Sequence, residues 1–140
     1  MSFYLDASAL VAMFTDDPFS ARVDLFLENN QSKLIVSDFA GAELASTVAR
    51  HFRNKQIAVA MARNIFAKFD TWAAEATERA ETTTEDVALA ETMLRRLDLN
   101  LRAPDAIHIA LSQRLGATLV TFDEKMAASA RTLQLAVAKT

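Results

Sequence analysis

The chain has 140 residues, 51% of them hydrophobic, which is enough for one filled core and one domain spanning 1–140. It has no cysteine, which excludes disulfide scaffolds, thiolate zinc sites and cysteine nucleophiles, and its only glycines, Gly41 and Gly116, exclude a P-loop and a dinucleotide fingerprint. Fifteen Lys+Arg against 18 Asp+Glu give a net charge of −3, with no global basic footprint for nucleic acid, although local binding stays open.

The first segment, Ser2 to Asp6, is short, apolar and β-prone, and "DASALVAMF" after it is helical in pattern. "KLIVSD" (Lys33 to Asp38) has the Val and Ile of a buried parallel strand between polar ends. Helix follows at once in "SDFAGAELASTVARHF", with Ser37 or Asp38 as N-cap. Gln56 to Ala76 forms a longer helix, and "ERAETTT" a weak strand leading to the helix "EDVALAETMLRRLDL". "RAPDAIHIALSQRLG" carries the fullest helix punctuation: Pro104 and Asp105 in the first turn, Arg114 in the last, Gly116 as stop. "ATLVTFD" is a buried strand, "EKMAASARTL" a helix and "QLAVA" a final strand. This alternation predicts an α/β fold with a mainly parallel sheet.

Asp6 interrupts an apolar run, and a buried carboxylate is costly unless something compensates it. In an open parallel sheet, ligands bind outside the carboxyl ends of the strands. Asp6 ends the first strand, Asp123 ends "TLVTFD", Asp105 opens a helix, and Glu43 lies little more than one turn into the helix after "KLIVSD". Each alone has a plain structural explanation as a turn former, helix cap or outward-facing residue. Together, converging carboxylates repel one another and call for a cation. Hard oxygen ligands favour Mg²⁺ or Mn²⁺ over zinc, and such ions support phosphodiester hydrolysis by activated water.

"FYLDASAL", "SDFAGAELASTVAR" and "RAPDAIHIALSQRLGATLVTFDEKMA", in that order, resemble the PIN domain, specifically the VapC-type ribonuclease toxins of toxin–antitoxin pairs. The resemblance spans essentially the whole chain. It implies a PIN-like three-layer sandwich, a central, mainly parallel twisted sheet flanked by helices. It also implies an acidic quartet, Asp6, Glu43, Asp105 and Asp123, binding one or two Mg²⁺ or Mn²⁺ ions. Asp6 and Asp105 would be primary ligands, Asp123 would complete the pocket, and Glu43 would serve a second ion or orient the attacking water. Ser8 and Thr121 match supporting hydroxyl positions, with helix cap and strand threonine as the structural alternatives. Glu124, directly after the last acid, is a candidate to share the role of Asp123.

The implied function is a metal-dependent endoribonuclease, the toxin of a type II pair, with RNA as substrate, a cognate VapB-type antitoxin and a homodimeric state. The rivals are a catalytically inactive PIN-fold interaction module and a receiver-type phosphoacceptor domain. The receiver reading wants a paired acid after strand one, where only Asp6 stands. No apolar run nears the ~20 residues that span a bilayer, and no basic region precedes the first strand. The expectation is therefore a cytoplasmic protein with no membrane partner. His108 is expected in the core or at a dimer contact, with a supporting role in the site as the sharper alternative, and His51 at the surface. Arg50, Arg53, Lys55, Arg63 and Lys68 form a basic arm able to steer RNA or meet an acidic partner segment, or else a solvated helix face.

Overall fold

The computed structural model describes residues 1–140. Its elements in chain order are β1 (Ser2–Leu5), α1 (Ala7–Phe14), α2 (Ser20–Asn29), β2 (Lys33–Ser37), α3 (Asp38–Arg53), α4 (Val59–Ala76), β3 (Glu78–Ala80), α5 (Thr84–Arg95), α6 (Ala103–Arg114), β4 (Thr118–Val120) and α7 (Glu124–Thr132). The four strands run in the order β3-β2-β1-β4, and every pairing is parallel.

Period-two alternation in the strands divides the core. Phe3, Leu5 and Val36 face one side and pack with buried residues of α1 to α4. Tyr4, Ile35 and Leu119 face the other and pack with α5, α6 and α7. The result is three layers, helix–sheet–helix, as the resemblance implied.

Three differences from the expectations have physical reasons. Helix α2 was not expected, yet Val23 and Phe26, three residues apart, bury one stripe of it on the core. Helix α5 stops at Arg95 rather than continuing through Leu99, because Leu97 adopts a left-handed φ of 67°. The final strand is reduced to a bridge, Leu119 with Val137, closed by two backbone bonds: Leu119 N–H to the Ala136 carbonyl at 2.9 Å and Ala138 N–H to the Leu119 carbonyl at 2.8 Å.

Three helices end in the same left-handed device. Gly116 N–H reaches the Gln113 carbonyl at 3.2 Å and Ala117 N–H the Ser112 carbonyl at 3.0 Å, with Gly116 at φ +61°. Lys55 (φ 59°) and Gln134 (φ 63°) occupy the equivalent position after α3 and α7 with the same pair of backbone bonds. A side chain there is disfavoured by clash with its own backbone. Gly116→Ala, whose Cβ would meet no atom within 4 Å, should therefore cost about 1 kcal/mol through the backbone alone. Lys55→Gly should gain up to about 1 kcal/mol, and urea denaturation midpoints would show opposite shifts for the two variants.

Candidate active site

Strand order reverses between β1, which continues to β2 and β3 on one side, and β4 on the other. This is the switch point where a parallel α/β sheet opens a crevice at its carboxyl edge. Asp6 stands there, one residue past β1, with its N–H bonded to the Val120 carbonyl at 3.2 Å. Its side chain caps α1: Oδ1 accepts from Ala9 N–H at 3.0 Å and from the Ser8 hydroxyl at 2.7 Å. The structural explanation of this aspartate, a helix cap, is therefore met, at a position that also faces the switch point.

Asp6 is only 1% exposed. Burial pushes its carboxyl above the usual carboxylate range, and hydrogen bonds from Thr121, Ser8 and Ala9 offset only part of that cost.

Ser8 and Thr121 tie the two strand ends together. Ser8 Oγ accepts from Phe122 N–H at 2.9 Å and lies 3.4 Å from Thr121 Oγ1, which accepts from Asp123 N–H at 3.0 Å. Asp123 caps α7, its Oδ1 accepting from Lys125 and Met126 N–H, each at 3.0 Å. Behind this corner Phe19 and Phe122 stack at 5.1 Å, with the Arg22 guanidinium 5.3 Å from each ring. Glu124 is exposed in the first turn of α7.

Asp105 lies in the first turn of α6, half-buried, and accepts from Arg102 N–H at 3.0 Å. Glu43 reaches from the second turn of α3 to His108 Nε2, and the opposite ring nitrogen, Nδ1, lies 2.7 Å from the Tyr4 hydroxyl. His108 is 1% exposed, so the core position expected for it holds, but within the core its ring makes polar contacts at both nitrogens. Burial also pushes the Tyr4 phenol far above its ordinary value, so the hydroxyl keeps its proton. His51 is half-buried rather than at the surface, lining a cavity with Met13, Phe14 and Ile57.

Two carboxylates outside this group are structural. Asp38 Oδ1 accepts from Thr82 N–H at 2.9 Å and the Thr82 hydroxyl at 2.6 Å, tying the start of α3 to the loop before α5. Asp86 forms a two-pronged pair with Arg114, at 2.8 and 2.9 Å, joining α5 to α6. Arg114 therefore does more than complement a helix dipole, and a tertiary partner 28 positions away left no local signal.

No three of the His, Asp and Glu side chains are gathered closely enough to hold a metal ion together as they stand. The donor chemistry nevertheless suits a hard cation. Among the ion pairs of the chain none involves Asp6, Asp105 or Asp123. A buried carboxylate with only neutral hydrogen-bond donors is where an added positive charge offsets desolvation.

The fold recurs in solved structures. VapC20 of Mycobacterium tuberculosis, described as a toxin that cleaves the sarcin-ricin loop, superposes with a TM-score of 0.73 at 16% identity, over 90% of this chain and 93% of that one. A chain of VapBC2 from Rickettsia felis, solved bound to a promoter DNA fragment, gives 0.67 at 19% identity, over 99% and 98%. One of FitAcB from Neisseria gonorrhoeae gives 0.72 at 17% identity, over 98% and 96%. Comparison with curated protein sequences gave no match. The PIN domain profile matches residues 3–131, from β1 into the last turn of α7 and across every acid described above, so the chain belongs to the PIN domain family.

Proposed function

We propose that this chain is an endoribonuclease dependent on Mg²⁺ or Mn²⁺, the toxin of a VapC-type toxin–antitoxin pair. The observation that carries the reading is the set of unpaired acids, Asp6, Asp105 and Asp123, in a family fold whose crevice opens at the β1–β4 switch point. Asp6, Asp105 and Asp123 would hold one ion, and Glu43 would serve a second or orient the attacking water. A divalent ion bound there supplies Lewis-acid activation of water and neutralisation of phosphate charge. The Ser8 hydroxyl fixes the Asp6 carboxylate and, with Thr121, holds the two strand ends in register. Burial of Asp6 keeps bulk water from competing for that oxygen.

The partners follow the same reading: RNA as substrate, a cognate antitoxin, and a second copy of the chain. A similar fold solved in a toxin–antitoxin complex from Klebsiella pneumoniae, with a TM-score of 0.61 at 16% identity, supports an antitoxin. So does the α3–α4 hairpin, which leaves Phe52, Val59 and Met61 about half exposed beside Arg50, Arg53 and Lys55. No helix is long and apolar enough to cross a membrane, and a cytoplasmic setting is part of the proposal.

The test is cleavage of a mixed RNA pool by purified, antitoxin-free protein in Mg²⁺, Mn²⁺ or EDTA. Cleavage with either ion and none in EDTA is the expected result. Equal cleavage in EDTA would overturn the metal-dependent reading, and no cleavage in any arm would favour an interaction module.

A further inference from the structure

The hydrogen-bonded chain behind Glu43 has a direction. Ser37, the N-cap of α3, spends its oxygen accepting from Ala40 N–H at 3.0 Å, and Tyr4 OH lies 2.8 Å from it. If Ser37 donates to Tyr4, Tyr4 donates to His108 Nδ1, and His108 Nε2–H donates to Glu43, every proton has an acceptor. The reverse order requires a proton on Glu43 or a second one on the imidazole, and it leaves the Ser37 hydroxyl without an acceptor. Tyr4 and Ser37 are fully buried, so their protons cannot turn to water instead. The network therefore selects one imidazole tautomer, with Nε2–H aimed at a glutamate that is otherwise 31% exposed and free to move.

From this geometry we infer that Tyr4 and His108 are positioning residues, which hold the Glu43 carboxylate in one orientation at the crevice through the Tyr4–His108–Glu43 hydrogen bonds. Helix packing alone does not require a histidine there. The neighbours of His108, Ala106, Ile109, Ala110 and Leu111, form an apolar layer that a leucine would fill. The inference rests on the proposed nuclease reading for its kinetic consequence and on the hydrogen bonds alone for its geometric one.

The experiment reads both. His108→Ala is expected to lower kcat for RNA cleavage by about 10- to 100-fold, with KM changed less than about twofold. His108→Gln, whose amide N–H can replace Nε2–H, is expected to recover most of that loss. In a Glu43→Gln background, adding His108→Ala should change kcat by less than about twofold, since the residue it acts through is already altered. The full loss persisting in that background, or His108→Gln being as impaired as His108→Ala, would overturn the inference.

Imidazole ¹⁵N spectra provide the second measurement. One tautomer in the wild type, giving way to a mixture in Tyr4→Phe, supports the inference; a mixture already present in the wild type overturns it. Wild-type protein that cleaves no RNA would sink the nuclease reading, while the spectra would still decide the positioning.

Discussion

Asp6→Asn is expected to abolish RNA cleavage while leaving a protein at least as stable as the wild type in EDTA. The asparagine keeps the carbonyl oxygen that accepts from Ser8 and Ala9, so the cap of α1 survives. It also removes a charge that burial disfavours. The Asp6 carboxyl is raised in the folded state, so its contribution to stability is present below the unfolded value and lost as pH rises through the folded one. At neutral pH the ionised group is a destabilising element, and the neutral amide relieves it. On the proposed reading, loss of a charge that would hold the ion should reduce cleavage by about 10²- to 10³-fold or more, and Asp105→Asn should do the same. Added Mn²⁺ should raise the Tm of the wild type, as any ligand of the native state does, and should fail to raise that of Asp6→Asn. Melting curves with and without Mn²⁺, beside the cleavage assay, check all of this. A variant that unfolds in EDTA would show that Asp6 is a structural cap first.

Asp86→Ala has the largest expected effect on stability. Asp86 is 1% exposed, bonded twice by the Arg114 guanidinium and once by Thr83 N–H in the capping box of α5. Removing it strands the Arg114 charge and opens the first turn of α5 together. Breaking one side of a buried pair costs about 3–5 kcal/mol, and because Arg114 is 36% exposed the lower end applies, about 3 kcal/mol. Burial works against the Asp86 carboxylate, but the bonds from Arg114 and Thr83 outweigh it and hold its pKa below the usual range. A depressed folded value contributes stability above the unfolded value, near ~4, that is lost as pH falls through the folded one. The gap between wild type and variant in urea midpoints should therefore be full at pH 7 and narrow in acid. A constant gap from pH 7 to pH 2 would show that the charge is not its source.

What the sequence revealed and what it hid divide by range of interaction. Asp6, Asp105 and Asp123 announce themselves because each sits beside its own strand end or helix start, where punctuation is local. The order of strands and helices follows from apolar periodicity, which needs only a window of residues. The Tyr4–His108–Glu43 chain joins positions 104 and 65 residues apart, and neither tyrosine nor histidine carries a local mark of such pairing. The ends of α3 and α7 fall within one residue of those read from the sequence, but the left-handed residues that make them, Lys55 and Gln134, carry no such mark, where Gly116 announced the one after α6. Helix α2 hid because Val23 and Phe26 are few buried anchors among charged and polar neighbours.

The pairing of β1 with β4 also sets a schedule. Phe3 pairs with Thr118 and Leu5 with Val120, so the sheet closes around its centre only through contacts more than a hundred residues apart. Such contacts form late, because the chain between them must first be brought together. During synthesis, which proceeds from the N-terminus at about 5–20 residues per second, β1 waits with one edge bare until β4 leaves the ribosome. The Asp6 and Asp123 ends of the crevice cannot meet before then. A nascent chain of this protein therefore lacks an assembled crevice for nearly its whole translation, and one bare strand edge in that interval belongs to the segment that leads into Asp6.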